Sequence, residues 1–281
     1  MKSLCARPND QKHIVWIASY PKSGNTWIRF LVCNLIFGPQ DSAAALNRLA
    51  ADLHELRELP QPLPPRLLLK THFQYSDRMP LAAETACAIY IVRHPADTML
   101  SNFHYSQRSG VASADDRSGL DRYVDEFLQA RGDSRWMQLG MGTWEDNVSS
   151  WIGAAQPFPI LALRYEDLLA DPMAGAKRLQ EFLRLPCSDR EIESAVAASS
   201  FERLRAIEEA DIASARVGIF YKPYLQPSIQ NGLRFMRAGQ SGEARRTLTR
   251  EQLRRVSAVF GPTMRACGYP IAEPEVRGAE A

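Results

Sequence analysis

The chain has 281 residues, of which 45% are hydrophobic and 23% are charged, and its formal net charge is +2 at pH 7. This length and composition fit a globular protein with one domain, or with one domain and a lid. The nearly neutral charge gives no electrostatic basis for nonspecific binding to nucleic acid, although a local basic patch would suit a small polyanion.

The chain carries no sequence signal for a membrane or for secretion. No apolar stretch approaches the roughly 20 residues that cross a bilayer, and the polar residues 1–12 lead into the first predicted strand without the features of a signal peptide. We therefore expect a cytoplasmic protein with no membrane span. The five cysteines include no Cys-x-x-Cys pair, so we expect no structural zinc, and we expect Cys33 and Cys87 to be buried thiols.

The first predicted strand, residues 14–18, leads into a loop that is suited to an anion. Residues 19–27 read Ser-Tyr-Pro-Lys-Ser-Gly-Asn-Thr-Trp, and the apolar residues after them recur at helical spacing up to Gly38. Free N–H groups and the positive end of the helix dipole favour a phosphate or sulfate group at such a helix start. One mobile cation and three side-chain donors lie in the same loop, on Lys22, Ser23, Asn25 and Thr26.

The loop differs from a Walker A motif. Lys22 precedes Gly24 instead of following it, and no second loop glycine comes before the lysine. An ATPase or GTPase would also need carboxylates for Mg²⁺, and Glu166-Asp167 is a poor candidate because a tyrosine precedes the pair and a helix follows it. We therefore expect no metal. Taken alone, the loop also fits a polar turn that binds nothing.

Further strands are predicted at residues 67–69, 88–92 and 160–163, which are short and apolar and are separated by helical patterns. This alternation is typical of a parallel sheet covered by helices on both faces, in which ligands bind at the carboxyl ends of the strands. Helices are predicted at residues 42–57, 95–106, 120–130, 143–153, 172–184, 189–198 and 250–266. Two of them begin with capping boxes, Ser188 with Glu191 and Thr249 with Gln252.

The residues that follow the predicted strands form a chemically coherent set. In chain order they are Lys22, Lys70-Thr71-His72, Arg93 with Ser101 in the next helix, and Tyr165. Together they would make one cationic edge around a single general-base candidate, His72. Each also has a structural explanation: His72 as a polar edge histidine, Arg93 as a partner of Asp97, and Tyr165 as a packing residue.

These motifs, taken together, resemble those of the PAPS-dependent sulfotransferase family. Residues 20–27 are similar to its 5′-phosphosulfate-binding loop, with Asn25 where threonine is commoner, and residues 93–101 are similar to its 3′-phosphate-binding segment. The other similar segments are Lys70-Thr71-His72 (the element with the base), Arg164-Tyr165-Glu166-Asp167-Leu168 (a strand-end motif), Ser199-Ser200-Phe201 (an adenine-contacting Ser-Phe segment) and residues 237–242 (a C-terminal Arg-x-Gly-x-x-Gly loop). The matches are collinear and span residues 14–246.

The resemblance implies a P-loop-like three-layer α/β sandwich with a central, mainly parallel sheet flanked by helices, and a single domain over residues 1–281. It implies metal-free transfer of a sulfuryl group from 3′-phosphoadenosine 5′-phosphosulfate (PAPS) to a hydroxyl of a small-molecule acceptor. The catalytic residues it implies are His72 as base, with Lys22, Lys70 and Ser101. The nucleotide-binding residues it implies are Lys22, Ser23, Gly24, Asn25, Thr26, Trp27, Arg93, Ser101, Tyr165, Ser200, Phe201, Arg237, Ala238 and Gly239.

The acceptor side carries the weakest sequence signal. Flexible, aromatic-rich segments near 42–60, 107–143 and 211–235 are expected to line it, and the tail after about 270 is expected to be disordered. The chain looks most like bacterial members of the family, which favours a natural product such as a glycopeptide as acceptor, with a saccharide or glycolipid as the alternative. A P-loop small-molecule kinase and a non-catalytic nucleotide-binding protein also remain open. Ala238 departs from the family's lysine, and no family dimerisation motif is recognisable.

Overall fold

The protein is described by a computed structural model that covers residues 12–110, 117–153 and 156–271. Its centre is a sheet of five parallel strands in the order β2-β3-β1-β4-β5. The strands are β1 (Ile14–Ser19), β2 (Ala50–Asp52), β3 (Leu67–Thr71), β4 (Thr85–Val92) and β5 (Ile160–Arg164). The helices are α1 (Asn25–Phe37), α2 (Ala43–Leu49), α3 (Pro95–Arg108), α4 (Arg117–Ala130), α5 (Ser134–Gln138), α6 (Trp144–Ile152), α7 (Tyr165–Ala170), α8 (Pro172–Leu183), α9 (Asp189–Ala198), α10 (Phe201–Ala213), α11 (Gln226–Gln230), α12 (Glu243–Thr247) and α13 (Arg250–Ala266).

Both faces of the sheet are covered by helices. Every residue of β1 and β4 is buried, because side chains that alternate along these strands enter two separate cores. Ile17 packs into one core with Phe30 of α1, and Trp16 packs into the other with Trp144 and Phe260 of α6 and α13. The predicted α/β sandwich with a parallel central sheet is therefore confirmed.

One predicted helix is wrong in its second half. The helix expected over residues 42–57 starts as predicted, with the Ser42 side chain capping α2, but it ends at Leu49. Residues 50–52 instead form β2, paired with β3, because the exposed edge of β3 offers main-chain partners that outweigh the helical pattern. Helix α10, which lies partly in a segment expected to be irregular, was not predicted.

The two predicted capping boxes and the predicted glycine at the end of the first helix are borne out. Both capping boxes form, Ser188 with Glu191 at α9 and Thr249 with Gln252 at α13, and Gly38 ends α1 with a φ of 83°. Cys33 and Cys87 are buried. Residues 111–116 of the predicted acceptor segment, and the predicted tail from residue 272 onward, lie outside the described residues. Across the described ranges, no helix combines the length and apolarity that a bilayer span requires.

Candidate active site

The carboxyl ends of the five strands border a cavity of about 860 Å³. Fourteen of the predicted site residues line it: Lys22, Gly24, Asn25, Thr26, Trp27, Lys70, His72, Arg93, Ser101, Tyr165, Phe201, Arg237, Ala238 and Gly239. The parallel sheet explains this convergence for the strand-end residues, since the residues that follow the strands all lie at the same edge of the sheet. Among the described side chains, no group of His, Cys, Asp and Glu is arranged to hold a metal ion.

The loop between β1 and α1 is shaped by two left-handed residues. Lys22 has a φ of 69° and Gly24 a φ of 99°, and a Cβ at Gly24 would lie 2.6 Å from Cδ2 of Tyr165. Glycine is therefore required here for both backbone conformation and space. Within the described part of the chain, no side chain caps the start of α1 at Gly24, and the buried Oγ of Ser23 has no hydrogen-bond partner. Donors that lack protein partners are what an anion site at a helix start needs.

The amide of Asn25 supports this loop from behind. Its Nδ2 donates to the carbonyl oxygen of Ile17 (3.1 Å) and to Oγ of Ser19 (3.2 Å), which ties the first turn of α1 back to β1. Asn25 also lines the cavity, whereas Ser23 is buried and is not among the lining residues. Contact between Ser23 and a ligand thus stays a prediction.

The ammonium of Lys22 lies between two aromatic faces. Its Nζ is 4.3 Å from the ring centroid of Tyr105 and 4.2 Å from that of Phe235. Burial and the neighbouring charge of Arg108 lower the pKa of Lys22 to about 7. The resemblance implied that Ser101 acts together with this lysine in catalysis. Ser101 lines the same cavity, but the partners of Nζ in the structure are the two rings.

Lys70, in contrast, already has a carboxylate partner. Its Nζ donates to Oδ2 of Asp52 over 2.8 Å, and both side chains are largely buried. Burial lowers the pKa of Lys70 to about 8, against the opposing attraction of Asp52. Burial by itself would raise the pKa of Asp52, but the ion pair and hydrogen bond with Lys70 outweigh it and the pKa is lowered. The pair is therefore charged at neutral pH.

The ring of His72 is held in the tautomer that a general base needs. Its Nδ1 lies 2.8 Å from the carbonyl oxygen of Ser19, and because a carbonyl can only accept, Nδ1 carries the proton. Nε2 of the neutral ring is then unprotonated. Burial, followed by the charge of Lys70, lowers the pKa of His72 well below its usual value. His72 is therefore neutral and able to accept a proton at physiological pH.

Arg93 follows β4 and lies between the loop after β1 and the first residue of α7. Its guanidinium donates to the carbonyl oxygens of Gln240 (2.9 Å) and Lys22 (3.4 Å), and its Cζ lies 4.4 Å from the ring centroid of Tyr165. The buried Nε of Arg93 has no hydrogen-bond partner among the residues that the structure describes. Arg93 thus links the first loop to the C-terminal loop and keeps one donor for a ligand.

The alternative pairing of Arg93 with Asp97 is replaced by a different contact. The carboxylate of Asp97 accepts from the main-chain N–H groups of Gly242 (2.6 Å) and Ala244 (2.8 Å), and this fixes the start of α12 onto α3. Arg237 lines the cavity and forms a bidentate ion pair with Glu243. An anion that binds Arg237 would therefore have to share it with this carboxylate.

Aromatic residues flank the cavity where the resemblance placed an adenine. Trp27 contacts Tyr165 edge-on, with 5.5 Å between ring centroids. Gly239 has a φ of 60°, and a Cβ there would lie only 2.3 Å from Cδ2 of Phe201, so this glycine lets the C-terminal loop close over the Phe201 ring. Ser200 caps α10 through its Oγ and is not among the lining residues, so its contact with a nucleotide stays a prediction.

Sequence reasoning missed a buried ion pair that supports the cavity wall. Arg108 has only 3% of its surface exposed, donates to the carbonyl oxygen of Phe220 (2.6 Å), and lies 3.9 Å from Oε1 of Glu208. Glu208 accepts from the main-chain N–H groups of Phe235 (2.6 Å) and Met236 (2.8 Å), which positions the segment beside Lys22. Arg108 and Glu208 lie 100 residues apart, and no local pattern in the sequence indicates their contact.

All three predicted acceptor segments reach the cavity. Their apolar lining residues are Leu53, Leu56, Trp136, Leu139, Met141, Ile219, Tyr224, Leu225 and Phe235. The indole N–H of Trp136 is used by Asn102, so its ring presents an apolar surface. At the rim, Lys222 pairs with Glu55 over 2.7 Å. Two aromatics of these segments, Phe127 and Phe220, lie in the core instead of facing the cavity.

Comparison with known proteins assigns the chain to a family. The family model described as the sulfotransferase domain matches residues 12–268. Flavonol 3-sulfotransferase from Flaveria bidentis is 28% identical, with 95% of this chain and 85% of that protein covered. Amine sulfotransferase from Oryctolagus cuniculus is 24% identical, with 89% of this chain and 80% of that protein covered.

Solved structures share the fold at low sequence identity. The crystal structure of mouse sulfotransferase SULT7A1 complexed with PAP matches with a TM-score of 0.65 and 22% identity, over 94% of this chain and 87% of the other. The structure of retinol dehydratase in a complex with retinol and PAP matches with a TM-score of 0.66 and 18% identity, over 95% of this chain and 85% of the other. These matches support the P-loop-like architecture of the sheet and its helices.

Proposed function

The chain belongs to the sulfotransferase family, and from that premise we propose that it moves the sulfuryl group of PAPS to a hydroxyl of a small-molecule acceptor. The observation that carries the proposal is the neutral His72, with an unprotonated Nε2, in one cavity with the two lysines Lys22 and Lys70. Relatives such as flavonol 3-sulfotransferase and amine sulfotransferase support the reaction class by name.

The proposal for PAPS binding rests on two groups of hydrogen-bond donors in or beside the cavity. The loop from Lys22 to the start of α1 would hold the 5′-phosphosulfate, where the buried Oγ of Ser23 lacks a partner. Arg93, whose Nε also lacks a partner, would hold the 3′-phosphate together with Ser101 and Arg237. Trp27 and Phe201 line the same cavity, and their rings could hold the adenine between them.

The proposed reaction is an in-line transfer. The acceptor oxygen forms a bond to sulfur while the bond from sulfur to the bridging phosphate oxygen breaks, and the hydroxyl proton moves to Nε2 of His72. Lys22 compensates the negative charge that develops on the leaving oxygen, and Lys70 stabilises the sulfuryl oxygens. Lysines and main-chain N–H groups supply this stabilisation without a metal.

The acceptor is proposed to carry its hydroxyl on an apolar body. The acceptor side of the cavity is lined by aromatic and aliphatic side chains, among them Leu53, Trp136, Leu139 and Tyr224, and the charges near its rim are paired, Lys222 with Glu55. A phenolic or other natural-product hydroxyl, as in a glycopeptide, fits this wall better than a polyanionic saccharide.

A single domain over residues 1–281 and a cytoplasmic location are proposed as well. The match of the family model over residues 12–268 supports the single domain.

Calorimetry with 3′-phosphoadenosine 5′-phosphate (PAP), the product nucleotide, tests the donor site. We expect tight binding of PAP without Mg²⁺ and weak binding of ATP with Mg²⁺. A preference for ATP with Mg²⁺ would contradict the proposal and indicate phosphoryl transfer.

Transfer of ³⁵S from labelled PAPS to a panel of phenols, glycosides and glycolipids then tests the reaction. We expect His72→Ala to lower kcat by about 10²–10⁴-fold with little change in PAP affinity. His13→Ala serves as the matched control, because His13 directly precedes β1 and lies at the amino end of the strands. Equal kcat in His72→Ala and the wild type would refute the role of His72.

A further inference from the structure

Strand β2 and the turn after it form a part of the site that the proposed mechanism does not use. The strand has only three residues and pairs with β3 in the register Ala50 with Leu68, Ala51 with Leu69 and Asp52 with Lys70. The next main-chain bond, from the N–H of Leu53 to the carbonyl oxygen of Lys70 (2.9 Å), continues the parallel ladder by one step. The ladder then stops at Lys70, two residues before His72.

A side chain takes the place of the next ladder bond. In a continuing parallel pair, the N–H of His72 would donate to the carbonyl oxygen of Leu53. It donates instead to Nε2 of His54 over 3.0 Å. Since a main-chain N–H can only donate, Nε2 of His54 is unprotonated. The His54 ring also packs on Phe73, 4.3 Å between centroids, and lies 6.0 Å from the His72 ring at an angle of 28°.

Both carboxylate oxygens of Asp52 are used in the same cluster. Oδ2 accepts from Nζ of Lys70 (2.8 Å), and Oδ1 accepts from the main-chain N–H of His54 (3.0 Å). One carboxylate therefore fixes the amine of the lysine and the turn that carries His54. His72 is thus restrained from two sides, by β1 through Ser19 and by the end of β2 through His54.

We propose that Asp52 and His54 are positioning residues for the transfer: His54 orients the base His72 through its main-chain N–H, and Asp52 sets the place and the charge of Lys70. The inference rests on the proposed function. Burial and the charge of Lys70 lower the pKa of His54 to about 4, so it remains a neutral acceptor at the pH of an assay. The charged or titratable groups that face His72 are Lys70, His54 and Lys22.

Two variants of His54 separate positioning from packing. His54→Phe keeps an aromatic ring against Phe73 but removes the acceptor, and we expect kcat to fall roughly 10- to 100-fold with PAP affinity unchanged, because a small displacement of a base is costly. His54→Gln offers a carbonyl oxygen to the N–H of His72 and is expected to recover most of kcat. His13→Phe is the matched control.

Asp52→Asn tests the proposed effect of Asp52 on Lys70 through the pH profile of kcat. The groups that face Lys70 are Asp52, Arg29 and Glu55, and Asp52 is the largest influence holding its pKa up against burial. Without that charge, the pKa of Lys70 falls below about 8, so the alkaline limb of kcat is expected to move down by about one pH unit. Asp125→Asn, which breaks the exposed pair with Arg255, is the control and leaves the profile in place.

The outcomes are distinguishable from failure of the proposed function. If the wild type binds no PAP and transfers no ³⁵S from PAPS, the function itself is wrong. If the wild type is active and His54→Phe has the same kcat, or if Asp52→Asn keeps the wild-type pH profile, the positioning role is overturned. Should His54→Phe fail to fold, the Asp52→Asn profile and the activity of His54→Gln still decide the matter.

Discussion

Because the amine of Lys22 lies between two aromatic rings and has a lowered pKa, we predict that nucleotide binding is accompanied by proton uptake at alkaline pH. Burial and the charge of Arg108 lower the pKa of Lys22 to about 7, and its Nζ faces the rings of Tyr105 and Phe235, with no carboxylate partner among the described residues. A phosphate bound beside the amine favours the ammonium and raises this pKa again. Above pH 7, the lysine must therefore gain a proton when PAP binds.

The size of the effect follows from the pKa of about 7. Half of the Lys22 side chains are charged at pH 7 and about 3% at pH 8.5, so PAP affinity is expected to fall about 16-fold over this interval. Proton uptake at pH 8 is expected to be about 0.9 per nucleotide bound. Phosphate groups with a pKa near 6 are already ionised in this range and contribute little.

Calorimetry at pH 8 in two buffers of different ionisation enthalpy measures the uptake directly. Lys22→Met removes the titrating amine and is expected to abolish most of the uptake and of the pH dependence. Lys177→Met, an exposed lysine of α8 paired with Asp189, is the matched control. Lys70→Met removes the other lysine with a lowered pKa, about 8, and so separates its contribution to the proton uptake. Uptake near zero in the wild type, or equal uptake in Lys22→Met, would refute the reasoning.

The pH dependence of the free energy of unfolding provides a second test of the lowered pKa of Lys22. The folded pKa of Lys22 lies below its unfolded value of about 10.5, so the unfolded state binds more protons between pH 7 and 10.5 and stability rises with pH across this window. Lys22→Met has no such dependence. Its advantage in urea unfolding over the wild type is therefore expected to be largest below pH 7 and to shrink by up to about 1.4 kcal/mol per pH unit above it.

Three further substitutions test the walls of the cavity. Gly24→Ala is expected to weaken PAP binding at least tenfold, because its Cβ would lie 2.6 Å from Tyr165. Gly232→Ala, also at positive φ but in open space, is the control for backbone strain. Equal losses of PAP affinity in the two variants would contradict the steric argument. Ala238→Lys restores a cation common in the resembling family, and calorimetry is expected to show several-fold tighter PAP binding that weakens more steeply with salt; unchanged affinity would place Ala238 away from the phosphate. Glu208→Gln replaces one of two acceptor oxygens that hold main-chain N–H groups, and urea unfolding is expected to show a loss of about 1–3 kcal/mol; no loss would refute its supporting role.

The parts of the site that follow long buried strands were predictable from the sequence. β1 and β4 are continuous apolar runs that are buried on both faces, so their ends, and the residues Lys22 and Arg93 that follow, could be located without the structure. The shared edge then followed from the parallel arrangement. The helix after this loop was equally clear from the helical spacing of the apolar residues, and in the structure it begins at Asn25.

The missed parts depend on partners that are distant in sequence. Residues 50–52, Ala-Ala-Asp, carry no strand signal and continue an apparent helix; they form β2 only because the edge of β3 accepts them. Asp52 and His54 therefore could not be recognised as neighbours of Lys70 and His72. The Arg108–Glu208 contact is hidden in the same way, since nothing local links two charges on α3 and α10.

The two lysines differ in how their charge is balanced, and this difference divides their work. Lys70 has Asp52 as a resident counter-charge, so its ammonium is fixed in place before any ligand arrives. Lys22 has aromatic faces and a pKa of about 7, so its charge depends on the negative charge that a ligand brings. Stabilisation that grows with developing charge lowers a barrier more than stabilisation already present in the ground state. Lys22 is thus the lysine suited to the leaving oxygen, and Lys70 is suited to orienting the group that is transferred.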